Sequence, residues 1–211
     1  MTLVKICGVT SVDDAGVAVD AGADLIGLIF YPPSPRYVTP EQAGAIVATL
    51  PADLPAVGVF VNESFATVTQ IARQSGVSRV QLHGNESPEL CRRLPWPCIK
   101  TFRFTEQVQP EMMSDYPVDA FLIEGFHGEL YGGGGVKADW HRVASLHDYG
   151  RIILAGGLTP DNVREAIDVV HPYAVDVCSG VEATPGTKDA AKVRAFVMRA
   201  KSAANGREEG S

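Results

Sequence analysis

The 211-residue sequence lacks long apolar segments and lacks an excess of positive charge. It has no run of about 18 apolar residues, the length that a membrane-spanning helix requires. Its first ten residues, MTLVKICGVT, place a lysine inside a short apolar run, which is unlike a secretory signal. The net charge is −7, so nucleic acids and anionic membranes are poor candidate partners. A local basic pocket for a small anion remains compatible with this balance.

Cysteines are few, and their spacing fits no metal site. The four are Cys7, Cys91, Cys98 and Cys178, which form no CxxC pair and no Cys/His spacing typical of zinc. We therefore expect free thiols in a reducing compartment, the cytoplasm.

Short apolar segments recur along the chain at regular spacing. They are nearly continuous in apolar character, as is typical of parallel strands that are covered on both faces. We predict eight strands, at 3–7, 25–30, 56–61, 79–83, 98–102, 119–124, 151–155 and 174–178.

Helical patterns lie between these strands and carry start and stop signals. Thr39 followed by Pro40 predicts one helix start, and Thr159 followed by Pro160 predicts another. Gly76 is a typical C-terminal stop. Weaker helical patterns occupy the connections before the sixth and seventh strands.

The alternation of strands and helices predicts a single α/β domain, a closed (β/α)₈ TIM barrel spanning residues 1–201. The main alternative is an open doubly wound sheet. That fold usually carries GxGxxG after its first strand, whereas this chain has CGVTSVDD. Residues 202–211 are small and polar, and we predict a disordered tail.

In such barrels the chemistry lies at the C-terminal ends of the strands. Because side chains alternate along a strand, Lys5 shares a face with Cys7, and Asp176 on the last strand faces the same interior. We expect an ion pair between Lys5 and Asp176. The candidate residues at or just beyond strand ends are Cys7, Arg36, His83, Glu124, Gly156, Gly157, Ser179 and Gly180.

Two glycine-containing loops follow the last two strands, AGGLTPDN and SGVEATPG. Barrels often hold a phosphate between these loops, through backbone N–H groups that glycine leaves accessible. We predict a phosphate site at Gly156, Gly157, Ser179 and Gly180. The alternative is that the glycines only form tight turns.

Six motifs, in order, resemble the phosphoribosylanthranilate isomerase family of tryptophan biosynthesis. They are KICGVT (5–10), GLIFYPPSPRYVTPEQA (27–43), VGVFVN (57–62), VQLHGNE (80–86), LAGGLTPDNVREAI (154–167) and VDVCSGVEATPGTKD (175–189). The resemblance covers residues 3–200. It implies an acid–base Amadori rearrangement of a phosphosugar substrate, with no metal and no organic cofactor.

The resemblance also implies residue roles. Cys7 matches the family's general base, and Arg36 matches its clamp for the anthranilate carboxylate, a task that suits a bidentate guanidinium. His83 belongs to the fourth-strand motif and either lines the site or holds its loop. Taken without the resemblance, Cys7 is more typical of a small buried apolar residue and Arg36 of a solvated charge.

At two positions the chain departs from the family. Cys178 stands where a small polar residue is more common, and we expect it to border the phosphate site. Glu124 stands where the family has its acid, an aspartate, and the loop YGGGG follows at 131–135. Glutamate is longer by one methylene, about 1.5 Å, and a misplacement near 1 Å can cost on the order of a hundredfold in rate.

Other functions remain open from the sequence. Lys100, mid-strand, would be the Schiff-base lysine of an aldolase-like barrel. A barrel that binds a phosphosugar without turnover is a third possibility, because of the change at Glu124. The related histidine-pathway rearrangement typically uses two aspartates, so Cys7 argues against it. The sequence does not distinguish a monomer from a homodimer.

Overall fold

A computed structural model describes residues 1–104, 110–125 and 139–205 of the chain. The glycine cluster at 131–135 and the last six residues of the predicted tail lie outside the described residues. Among those that are described, no helix is both long enough and apolar enough to cross a membrane.

Eight parallel strands form a closed barrel, in which each strand pairs with the next and the last pairs with the first. This confirms the TIM barrel and excludes the open sheet. The strands are β1 Leu3–Cys7, β2 Leu25–Ile29, β3 Ala56–Phe60, β4 Arg79–Leu82, β5 Cys98–Phe104, β6 Ala120–Gly125, β7 Ile152–Leu154 and β8 Ala174–Val177.

Helices cover the outside of the barrel between these strands. The α-helices of the described residues are α1 Val12–Asp20, α2 Pro40–Val47, α3 Phe65–Ser75, α4 Pro88–Arg93, α5 Trp140–Ala144, α6 Val163–Val170 and α7 Ala190–Asn205. Short 3₁₀ helices occupy Pro110–Asp115, His147–Tyr149 and Ser179–Val181. A small hairpin of β9 Glu182–Thr184 and β10 Thr187–Lys188 follows β8.

The start and stop signals were read correctly at α2 and α3. Thr39 and Gln42 form a capping box at the start of α2, and Gly76 ends α3 with a left-handed φ of 73°. The expected helix start at Thr159 is wrong, because α6 begins only at Val163. The Asn162 side chain accepts a hydrogen bond from the Thr159 N–H at 2.8 Å, so these residues form a turn instead.

The C-terminal boundary also differs from the expectation. Helix α7 continues to Asn205, so residues 202–205 are helical and do not belong to a tail. Ala203 is buried and packs with the core, which explains why the helix runs past residue 201.

The apolar core has two layers, separated by the strand backbones. One layer packs the outer faces of the strands against the helices. The other fills the barrel interior and consists of Leu25, Val57, Ile99, Ala120, Leu122, Ile153, Ala155 and Ala174. Since each buried aliphatic side chain contributes about 1.5–3 kcal/mol, this plug stabilises the barrel and leaves only the mouth at the strand C-termini for chemistry.

Candidate active site

Cys7 lies at the end of β1 on the inner face of the barrel, and 5 % of it is exposed. Lys5, two residues earlier on the same face, is completely buried and places Nζ 2.7 Å from Asp176 Oδ1. The predicted ion pair is confirmed. Burial disfavours the charge of Lys5, but Asp176 and then Cys7 more than offset it, so the pKa of Lys5 lies above its ordinary value.

The surroundings of Cys7 favour its thiolate. A hydrogen bond from Cys178 is the largest effect, and the charge of Lys5 adds to it against the opposing effect of burial. Together they lower the pKa of Cys7 to about 6. The same contact, with burial, holds the pKa of Cys178 well above its ordinary value. At neutral pH the proton therefore resides on Cys178, and Cys7 is available as a base.

Gly27 on the neighbouring strand makes room for this thiolate. A Cβ atom at position 27 would lie 2.7 Å from Cys7 Sγ and 3.1 Å from Lys5 Nζ. The first distance is shorter than real carbon contacts and the second is unusually tight, and Cys7 Cα would lie 3.0 Å away. Any larger residue there would therefore displace the sulfur, the ammonium group or the backbone of β1. The backbone of β2 thus belongs to the site although it contributes no reactive group.

Arg36 reaches the mouth from the loop after β2, but it already holds a carboxylate. Its Nε and Nη2 donate to the two oxygens of Glu182, at 2.8 and 2.7 Å. This hydrogen bonding raises the pKa of Arg36. One edge of the guanidinium is occupied, and the Nη1/Nη2 edge is the one left to receive a second carboxylate.

Glu182 links Arg36 to Cys7 through a third charged residue. Lys188 Nζ lies 3.1 Å from Glu182 Oε1 and donates to the Cys7 carbonyl oxygen at 2.7 Å. Burial disfavours the Glu182 carboxylate, but Arg36 and Lys188 more than compensate, and its pKa is lowered. Sequence analysis missed Glu182 and Lys188, although both lie within the VDVCSGVEATPGTKD motif.

Glu124 lies near the C-terminal end of β6 and is also buried. Its Oε1 is 3.0 Å from His83 Nε2, and the other ring nitrogen of His83 contacts Gln81 Nε2 at 3.0 Å and Thr101 Oγ1 at 3.2 Å. The imidazole is therefore fixed on both sides, and it orients the carboxyl group.

Arg103, the inward-facing residue of β5 beside Glu124, was also missed. Its Nε lies 3.9 Å from Glu124 Oε1, and the two residues are register partners in the barrel. A period-two count from Ile99 would have placed Arg103 on the inner face, so the alternation of side chains was the available signal.

The two glycine loops meet where the phosphate site was predicted. Gly156 and Gly157 have φ values of 86° and 63°, which favour glycine. A Cβ at Gly180 would collide with the Leu158 carbonyl oxygen, so the two loops can touch only without a side chain there. Ser179 is exposed and begins a 3₁₀ turn.

The chain is similar to known proteins in both sequence and fold. Residues 4–199 match the model of the family described as N-(5'-phosphoribosyl)anthranilate (PRA) isomerase. The N-(5'-phosphoribosyl)anthranilate isomerase of Geobacter sulfurreducens is 50% identical over 201 residues, covering 95% of this chain and 99% of that protein. This chain belongs to the N-(5'-phosphoribosyl)anthranilate isomerase family.

Solved structures of the family superpose along nearly the whole chain. A phosphoribosyl anthranilate isomerase in complex with reduced 1-(o-carboxyphenylamino)-1-deoxyribulose 5-phosphate is 40% identical, with a TM-score of 0.86, and the match covers 96% of this chain and 100% of that one. A structure of monomers generated from the dimeric enzyme of Thermotoga maritima has 39% identity, a TM-score of 0.83 and the same coverage.

Lys100, the candidate Schiff-base lysine, lies outside the barrel interior. Its neighbour Ile99 faces the interior, so Lys100 faces the helices, where Nζ contacts Glu86 Oε2 at 2.8 Å and the Gly84 carbonyl oxygen at 2.7 Å. The aldolase-like interpretation is wrong, because this nitrogen does not reach the mouth. Among the described residues, no cluster of three or more His, Cys, Asp or Glu side chains is arranged to hold a metal ion.

Proposed function

We propose that this chain converts N-(5-phosphoribosyl)anthranilate to 1-(o-carboxyphenylamino)-1-deoxyribulose 5-phosphate by an acid–base Amadori rearrangement, as a step of tryptophan biosynthesis. Membership of the isomerase family supports the reaction. The observation that carries the proposal is the pairing, at one barrel mouth, of a thiol with a lowered pKa and a buried carboxyl group held by an imidazole.

Glu124 acts as the general acid in the first step. It protonates the furanose ring oxygen while the bond from that oxygen to C1 breaks, and the nitrogen lone pair forms the C1=N bond of an iminium ion. A positioned proton donor typically contributes on the order of 10²–10⁴ in rate. The His83 contact at 3.0 Å holds the longer glutamate side chain in place for this transfer.

Cys7 acts as the general base in the second step. Its thiolate removes the proton from C2, and the electron pair of that bond moves to form C1=C2 while the iminium nitrogen becomes neutral. The resulting enol-amine gains a proton at C1 as its C2 hydroxyl becomes the ketone. With a pKa of about 6, Cys7 is mostly ionised at neutral pH.

Two anion sites orient the substrate for these transfers. The phosphate binds at Gly156, Gly157, Ser179 and Gly180, where the two loops meet. The anthranilate carboxylate binds the Nη1/Nη2 edge of Arg36, since Glu182 occupies the other edge. In this assignment His83 positions the acid and does not bind the substrate directly.

The partner is a small phosphosugar and not a nucleic acid, as the net charge of −7 supports. Four free cysteines support a reducing compartment, the cytoplasm. Because the T. maritima relative is dimeric, a homodimer is the oligomeric state to be tested against a monomer. Light scattering coupled to size exclusion distinguishes the two.

Loss of substrate fluorescence on addition of the purified chain tests the proposed function. Turnover that falls on the order of 10²–10⁴ in Glu124→Gln supports the acid assignment. A wild-type rate in Glu124→Gln, unchanged between pH 6 and pH 9, would contradict it. A wild-type chain that binds the reduced product analogue without turning over the substrate would show a binding protein instead.

A further inference from the structure

Two thiols lie next to each other at the mouth of the barrel, where the hydrogen-bonded neighbours β1 and β8 end. The pairing of β1 with β8 ends at Ile6 and Val177. Cys7 is the next residue of β1, and Cys178 is the residue immediately after β8. Neighbouring strands lie about 4.8 Å apart, and a disulfide needs Cα atoms about 4.4–6.8 Å apart. The spacing of the two strand ends is therefore within the range that a disulfide spans.

The two side chains are also close enough for a hydrogen bond between their sulfur atoms. A Cβ at Gly8 would lie 2.8 Å from Cys178 Sγ, which places this sulfur above the end of β1. Cys178 is only half-buried, whereas Cys7 is almost covered, so Cys178 is the more accessible of the two.

The charges around Cys7 favour its attack in thiol–disulfide exchange. Lys5 Nζ is close enough to Cys7 to hydrogen-bond its sulfur, and Arg36 packs over Gly8, beside Cys178. Cations next to a thiol favour its thiolate, which is the nucleophile of exchange. Cys7 is thus an attacking group, and Cys178 is a resolving thiol within reach.

We propose that Cys7 and Cys178 are an oxidative modification site, at which an internal disulfide forms reversibly and removes the catalytic base. This inference rests on the proposed function for its effect on turnover, but the formation of the disulfide does not depend on it. The site is particular to this chain, because Cys178 is one of the positions at which the chain departs from the family pattern.

The reaction consumes one low-molecular-weight disulfide. The Cys7 thiolate attacks one sulfur of glutathione disulfide, forms a mixed disulfide and releases one glutathione thiolate. Cys178 then loses its proton and attacks the Cys7 sulfur, which breaks the mixed disulfide and releases the second glutathione thiolate. Two protein thiols are oxidised, one disulfide is reduced to two thiols, and dithiothreitol reverses the change.

The second cysteine pair provides the matched control. Cys91 on α4 and Cys98 on β5 also contact each other, but they pack in the layer between strands and helices, away from the mouth. A Cys91→Ser/Cys98→Ser variant keeps only the mouth pair. We expect it to respond to the oxidant as the wild type does.

The test incubates the wild type, this double variant and Cys178→Ser with glutathione disulfide, and maps disulfides by mass spectrometry of non-reduced peptides. We expect a linked peptide pair containing Cys7 and Cys178 in the first two proteins, with the loss of two hydrogen atoms and no glutathione adduct. The turnover of these two proteins, each relative to its own untreated rate, should fall on the order of a hundredfold and return with dithiothreitol.

Two controls separate the possible failures. The reduced product analogue should slow formation of the link, because it covers the mouth, and Cys178→Ser should show no linked pair. A wild type that forms only a Cys91–Cys98 link, only a glutathione adduct, or no product would overturn the proposal. Untreated wild type without turnover would instead contradict the proposed function, whatever the mapping shows.

Discussion

Two lysines near the middle of strands, Lys5 and Lys100, are almost completely buried, and each is paired with a carboxylate within 3 Å. They differ in the face of the strand from which they project. Lys5 points into the barrel toward Cys7, whereas Lys100 points outward, toward the loop after β4. The ion pair of Lys5 therefore belongs to the surroundings of Cys7, whereas the similar ion pair of Lys100 stabilises a loop.

The partners of the two lysines show the same division. Asp176 holds Lys5 beside the thiol, so the charge of this lysine contributes to the lowered pKa of Cys7. Glu86 holds Lys100 and also accepts hydrogen bonds from the N–H groups of Asn62 and Gly84. The outer pair thus joins the loops after β3 and β4, immediately beyond His83.

Lys5→Met should show the larger effect of the two lysine substitutions. It removes a cation from Cys7 and leaves Asp176 without its partner, which we expect to destabilise the fold by about 3–5 kcal/mol. The pKa of Cys7 should rise. At a pH below that pKa, each unit of increase in the pKa lowers the thiolate fraction about tenfold. Denaturant unfolding and the pH dependence of kcat/KM measure the two effects, and an unshifted pH profile would contradict the account.

Lys100→Met should destabilise the fold by a similar amount, about 3–5 kcal/mol, because it leaves Glu86 buried and unpaired. Its pH profile should stay that of the wild type, since no contact of Lys100 reaches Cys7 or Glu124. Turnover is measured well below the melting temperature, per folded molecule. A shift in the acid limb of the pH profile of this variant would contradict the distinction between the two lysines.

Gly27→Ala should disturb the inner site with less effect on folding. The added methyl group would meet Cys7 Sγ and Lys5 Nζ at 2.7 and 3.1 Å, so we expect turnover to fall by about tenfold or more through misplacement of the base. Gly16→Ala is the control, because a Cβ there meets nothing within 4 Å and the residue lies in α1. That variant should gain about 0.5–1 kcal/mol in stability at unchanged turnover.

The sequence was sufficient to predict those features of the fold and site that follow from the periodicity of strands. Eight apolar segments were sufficient for the barrel, and the alternation of side chains placed Lys5, Cys7 and Asp176 on one face. The same alternation applied to β5 would have excluded Lys100 and found Arg103. His83 follows β4 and Glu124 lies on β6, with β5 between them. Their contact therefore depends on side-chain length and torsion, which no pattern specifies.

Loop geometry was the part that the sequence could not supply. The pairing of Arg36 with Glu182 joins residues 146 positions apart, one in the loop after β2 and the other in the hairpin after β8. The turn at Asn162 likewise overrides a plausible Thr-Pro helix start, because its side chain bonds the Thr159 N–H and the Gly157 carbonyl oxygen. The first depends on a contact between loops that only the closed barrel brings together, and the second depends on hydrogen bonds within a single loop.

The central claim is that the Cys7 thiolate is the base of the rearrangement. The most direct test is kcat/KM for N-(5-phosphoribosyl)anthranilate as a function of pH, for the wild type and for Cys7→Ser. The account predicts a wild-type rate that rises to a plateau with a midpoint near the Cys7 pKa of about 6, and a loss on the order of 10²–10⁴ in Cys7→Ser. A Cys7→Ser enzyme with the wild-type rate and the same acid limb would contradict it.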